Sequence, residues 1–188
     1  MPNSAKNDLY ESRATADFVV HIMEKARDSW PTIYNNIKKL FSRWEQDFVV
    51  ADEDLAIYNL ALAAIAQESQ AIKNLFPKEQ AKRIKEWLLL FVGDEYAINE
   101  VKNYDKAFQE SLDTGENPIH AISARLVQRW LGENIQDFVG KEDGIISPIL
   151  LTAVSGNLII FCGSWKSLKE NFNIIKDESS IEEITSRV

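Results

Sequence analysis

From Gly144 to Trp165 the chain reads GIISPILLTAVSGNLIIFCGSW, 22 residues without a charged side chain. A helix needs roughly 20 apolar residues to cross the hydrocarbon core of a bilayer. A run of this kind therefore either spans a membrane or packs against other apolar surface within a folded body. Asn157 stands near its middle, with Thr152, Ser155 and Gly156 close by, and an amide at the centre of a bilayer is costly unless it finds a partner. Lys141 and Lys166 flank the run on opposite sides and give no positive-inside bias. At least four amphipathic stripes precede it, each in need of apolar surface, and a helix that is hydrophobic all round is what the centre of a soluble bundle contains. The residues favour an all-α, single-domain bundle of about six helices over 1–188, with a highly apolar central helix near residues 148–172. Membrane association through 145–163 is the alternative.

The helices are read from apolar periodicity and end signals. Asp8 and Glu11 form a D-x-x-E capping box at the first. Val19, Ile22, Met23, Ala26 and Trp30 then run in phase with Ile33, Ile37, Leu40, Phe41, Trp44 and Phe48. Pro31 interrupts this stripe; its unbroken phase favours one kinked helix over two. Asp52 caps the next helix, whose centre, LALAAIA from Leu60, is small-sided and lets another helix approach closely. Pro77 is expected in the first turn of a third helix. Gly93 and Asp94 mark the break before a fourth, and Asn117–Pro118 cap and open a fifth that Gly132 closes. Ser147–Pro148 open the apolar helix, expected to run through Trp165, Leu168 and Phe172. SSIEEITSRV, within 176–188, reads as a short polar tail or a terminal docking helix.

Composition sets aside several classes. With 7 Gly and 5 Pro in 188 residues, obligatory turns are too few for a many-stranded sandwich or barrel. The net charge of −8 argues against nucleic-acid binding, which draws its affinity from basic surface. A local cluster, Lys78, Lys82, Arg83 and Lys85, reads as a solvated helix face. One cysteine excludes an intrachain disulfide, and the N-terminus shows no apolar signal-peptide core, so a cytoplasmic location is expected. Cys162, beside Phe161, reads as a small inert core residue.

No phosphate-binding glycine motif occurs, and one Cys with two His cannot build a structural zinc site without several carboxylates. There is no E-x-x-H for a di-iron bundle; His21–Glu24 is the reverse spacing. Glu95, Glu100 and Asp105 are five apart and do not share a helical face. No catalytic residue, metal or cofactor is therefore expected. The candidate ligand or polar-core residues are Asn157, Thr152 and Ser155 in the apolar helix, then His120 with Glu116 four residues before it.

These features describe a non-enzymatic interaction or regulatory protein acting through homo-oligomerisation or a protein partner. A bundle housing a lipid or haem-like ligand is the alternative, and a membrane-associated protein the third reading.

Overall fold

The computed structural model describes residues 6–43, 45, 47–132 and 148–178. Among these residues the chain forms six helices of eleven residues or more, a short seventh, and one two-stranded sheet. The order is β1 (Asn7–Tyr10), α1 (Glu11–Ser42), α2 (Glu53–Leu75), α3 (Lys78–Phe91), α4 (Glu95–Thr114), α5 (Pro118–Leu131), α6 (Pro148–Leu158), a 3-10 turn at Ile159–Phe161, α7 (Ser164–Asn171) and β2 (Phe172–Ile175). The architecture is an all-α bundle with an apolar helix at its C-terminal side.

α1 is one helix that carries Pro31 in its interior. Proline removes one backbone hydrogen bond there. The continuous buried row Ala14, Phe18, Ile22, Ala26, Trp30, Ile33, Ile37 and Phe41 holds the helix in phase on both sides of it. Asp8 does not cap α1. It lies in β1, which pairs in parallel with β2, Asp8 opposite Asn173, and the strand consumes the residues a capping box would need. The first turn is served from the other end of the described chain: Asp177 accepts from the Ser12 backbone N–H at 2.8 Å and from its hydroxyl.

The remaining start signals place helices where the sequence puts them, within a residue. Asp52 accepts from Leu55 N, Asp94 from Ala97 N and Asn117 from Ile119 N. Pro77 sits at the cap of α3 rather than in its first turn. Trp44, the tail 179–188 and the segment 133–147 that leads into α6 lie outside the described residues.

α2 is the helix enclosed on every side. It contacts α1, α3, α4, α5 and α7, and every residue from Asn59 to Ser69 is buried. Ala61, Ala63, Ala64 and Ala66 keep its girth small, so five neighbours can approach one axis. α6 packs on α5 and α1 with Leu150, Val154, Ser155 and Leu158 turned inward. On the outer side of α6 and of the 3-10 turn after it, Ile149, Ile159 and Ile160 are 58%, 56% and 42% exposed. The segment Pro148–Asn171 is long and apolar enough to cross a membrane, and 33% of its most apolar window is buried.

The expected unbroken helix through Phe172 is interrupted at the 3-10 turn and at Gly163, whose φ of +89° is left-handed. Glycine adopts that conformation without steric cost. The turn redirects α7 so that Trp165 stacks on Phe18, ring centroids 4.7 Å apart. Phe172 then begins β2.

Candidate functional site

The polar residues of the apolar helix are satisfied mostly by the helix itself. The Thr152 hydroxyl donates to Pro148 O and the Asn157 amide to Ala153 O, both at 2.8 Å and both one turn back. Each bond satisfies one polar group within the helix. Ser155 is buried and meets Ser123 of α5, the two hydroxyl oxygens 2.9 Å apart. His120 is half-buried in the first turn of α5; Glu116 is exposed and outside it, its backbone N–H closing the end of α4 on Ser111 O. The structure brings Ser155 into the α5–α6 seam and does not gather the other four around a common point. Among the described residues no group of three or more His, Cys, Asp or Glu side chains could hold a metal ion.

The densest polar geometry lies elsewhere. Glu100 of α4 is buried and receives Arg129 Nε at 2.8 Å, a shorter contact from Arg129 Nη2, and Arg125 Nη2 at 3.2 Å. Arg125 and Arg129 are one helical turn apart on α5, so both guanidiniums reach one carboxylate. Burial alone would raise the Glu100 pKa. The hydrogen bond from Arg129 and the two positive charges outweigh it and hold the carboxyl below its ordinary value. Tyr104, one turn along α4, is fully buried, and burial raises its phenol well above the usual value. Its hydroxyl and Arg125 Nε have no hydrogen-bond partner among the described residues. A carboxylate saturated by two arginines and held ionised is a poor proton acceptor at neutral pH. The cluster ties α4 to α5.

A second buried carboxylate, Glu11, takes Arg83 side-on through Nε and Nη2, each at 2.8 Å. This removes Arg83 from the basic cluster noted in the sequence. Lys82 lies 3.8 Å from Glu86. Lys85 is half-buried, and burial lowers its pKa against the opposing charge of Asp105. Asp105 accepts from Ser69 at 3.0 Å and Gln70 at 2.7 Å, and burial raises its carboxyl above the ordinary range.

A third buried carboxylate serves α7. Glu68 accepts from Gly163 N at 3.0 Å and Trp165 N at 3.3 Å, bringing negative charge to the positive end of that short helix. Next to it, Gln67 Nε2 lies 2.7 Å from Cys162 Sγ. The cysteine is exposed rather than a core residue, because the turn at 159–163 lifts it off the helix line. Part of the side chain reaches solvent, but protein atoms around the sulfur strip water from it, and this desolvation first and the Glu68 charge second raise the thiol pKa.

Periodicity did not reveal these three carboxylates. In the sequence Glu11 stands as a capping residue, and Glu68 falls in the stretch of α2 from Asn59 to Ser69 that is buried all round. The i,i+4 spacing of Arg125 and Arg129 was the available signal for Glu100.

Clefts open on the surface formed by the described residues. One, of about 310 Å³, is walled by Val49–Asp52, Arg129 and Trp130; another, of about 490 Å³, lies between Met23 and Arg27 of α1 and Tyr58 of α2. Neither is lined by a histidine. No protein-family model matches the chain, and neither a curated protein nor a solved structure matches it.

Proposed function

We propose that this chain is a non-enzymatic interaction protein that works by presenting the outer face of α6 and the following 3-10 turn to a protein surface. One observation carries the reading: the most apolar segment of the chain leaves Ile149, Ile159 and Ile160 in solvent, on a stretch from 148 to 165 that holds no charged residue. Contiguous exposed apolar surface on a folded chain marks a place of association. The ionisable clusters support the same reading, since Glu11, Glu68 and Glu100 each satisfy a structural partner. The alternative of a haem-like ligand finds no histidine in the two clefts described above, whereas a lipid would need none.

The test is size-exclusion chromatography with light scattering on protein from a detergent-free lysate, alone and with its co-purifying material. Recovery as a defined assembly that Ile159→Lys disrupts supports the reading. A strictly monomeric, partnerless protein that turns over a substrate refutes it, and recovery only in detergent moves the α6 face to lipid.

A further inference from the structure

We propose that Lys85 is a modification site, a lysine whose side-chain amine takes an acyl group from a small acyl phosphate. The sequence places it in the basic cluster of α3, and the structure sets it apart from its neighbours there. Arg83 is bound to Glu11, and Lys82 lies beside Glu86. Among the described residues Lys85 makes no hydrogen bond and no ion pair. Every other described lysine is exposed except Lys25, which donates to Ile160 O and lies over the Phe161 ring. Lys85 is thus, among the described residues, the one half-buried lysine without a direct acceptor.

Three helices shape its surroundings. Asp105 of α4 and Lys73 of α2 lie within electrostatic reach of the amine. Asp105 gives one oxygen, Oδ1, to both Ser69 and Gln70 of α2, and Gln70 in turn accepts from Gln109 of α4. These bonds hold the carboxylate toward α2 without an ion pair to Lys85. The ammonium therefore loses water to the protein and gains no direct acceptor in return, which favours the neutral amine. Burial is the largest influence and lowers the pKa of this amine; Asp105 opposes it and Lys73 adds to it. Nζ still meets solvent, because the fully enclosed polar atoms that lack a partner among the described residues lie elsewhere, on Gln67, Tyr104, Arg125 and Trp165. Desolvation is one of the ways a lysine becomes nucleophilic near neutral pH.

The neutral amine of Lys85 attacks the acyl carbon. An N–C bond forms, and the C–O bond to phosphate breaks with its electron pair leaving on phosphate. The ammonium gives up two protons in all, one to the released phosphate and one to the buffer. The product amide is uncharged, so the step removes a charge from a place that solvates it poorly. An acyl phosphate suits the approach because it is small enough for a half-buried amine. Its negative charges are also drawn to the Lys73–Lys85 side of a chain whose net charge is −8.

The full chain incubated with acetyl phosphate near neutral pH, digested and read by peptide mass spectrometry, tests this. The comparison is Lys102, which is exposed and has no hydrogen bond or ion pair among the described residues. The initial rate at Lys85 is expected to exceed that at Lys102 by about threefold or more. Asp105→Asn keeps an oxygen for Ser69 and Gln70 and removes the charge that opposes deprotonation. Lys85 in that variant is expected to react about twofold faster still, with circular dichroism confirming the fold. Lys85→Arg is expected to abolish the dominant modified peptide and leave the others unchanged. A wild-type Lys85 rate at or below that of Lys102 overturns the inference, as does a folded Asp105→Asn variant that reacts more slowly at Lys85. Neither result bears on the α6 reading, which the oligomeric state decides.

Discussion

The Glu100 cluster permits an asymmetric test of what holds α4 to α5. The Glu100 side chain is 4% exposed, whereas those of Arg125 and Arg129 are 27% and 40% exposed. Glu100→Gln removes the charge and leaves two guanidiniums that already reach water and can turn further into it. The expected loss is about 1–2 kcal/mol, the worth of charge-assisted bonds whose donors re-solvate. Replacing both arginines by Met strands a buried carboxylate, with Asn103 Nδ2 at 3.2 Å as its remaining donor. Breaking a buried pair from that side costs about 3–5 kcal/mol. Urea denaturation at pH 7 measures both, read as a shift in midpoint at constant slope. A Glu100→Gln variant as damaged as the double arginine variant, or more so, would refute the reasoning. Acidification supplies the second arm. The folded carboxyl lies below its unfolded value, so its contribution is complete above the unfolded range of about 4.3 and is lost as pH falls through the folded value. The gap between wild type and Glu100→Gln is therefore expected to hold from neutrality to about pH 5 and to narrow below it. A gap that widens on acidification contradicts the assignment.

Two glycines should respond to alanine with opposite signs. Gly163→Ala forces a side chain into φ +89° and is expected to cost about 1 kcal/mol, while Gly156→Ala, helical with open space around the new Cβ, should stabilise dilute monomer by about 0.5–1 kcal/mol; thermal melts of the two variants check the pair. Ala63→Leu in the enclosed stretch of α2 is expected to cost about 1–3 kcal/mol or more by overpacking, and Ile159→Ala close to nothing in dilute monomer, the reverse of what side-chain hydropathy alone implies. The raised Cys162 thiol should react with iodoacetamide more slowly than free cysteine at pH 7 and accelerate as pH rises through and beyond the ordinary thiol range; alkylation followed by mass against pH would show a flat, fast profile if the thiol were activated.

Helix existence and most starts were legible because each depends on neighbours in sequence. Asp52, Asp94 and Asn117 cap where expected, and the in-phase stripe of α1 outlasts Pro31. What was not legible depends on residues far apart. β1 and β2 are four residues each, too short for alternation to register, and they exist because residues 7–10 and 172–175 meet in space. That meeting displaced Asp8 from its expected cap and gave the first turn of α1 to Asp177. The same distance hid the site residues: nothing local says that Arg83 will turn to Glu11, or that Glu68 will cap a helix nearly a hundred positions later.

The contrast between α2 and α6 carries the functional argument. Hydropathy ranks the 148–171 segment above α2, because Asn59, Gln67, Glu68 and Gln70 lower the mean that the alanines and leucines of α2 raise. Enclosure by five neighbours demands something else, a thin helix whose few polar groups have fixed partners, and α2 meets that demand with Ala61, Ala63, Ala64 and Ala66 against Leu60, Leu62 and Ile65. α6 turns Leu150, Val154 and Leu158 inward, and among the described residues α5 and α1 are its main helical neighbours. An apolar helix at the rim of the bundle rather than at its axis leaves Ile149 in solvent, and the turn after it leaves Ile159 and Ile160 there too. The Thr152 hydroxyl and the Asn157 amide nitrogen each donate back into α6.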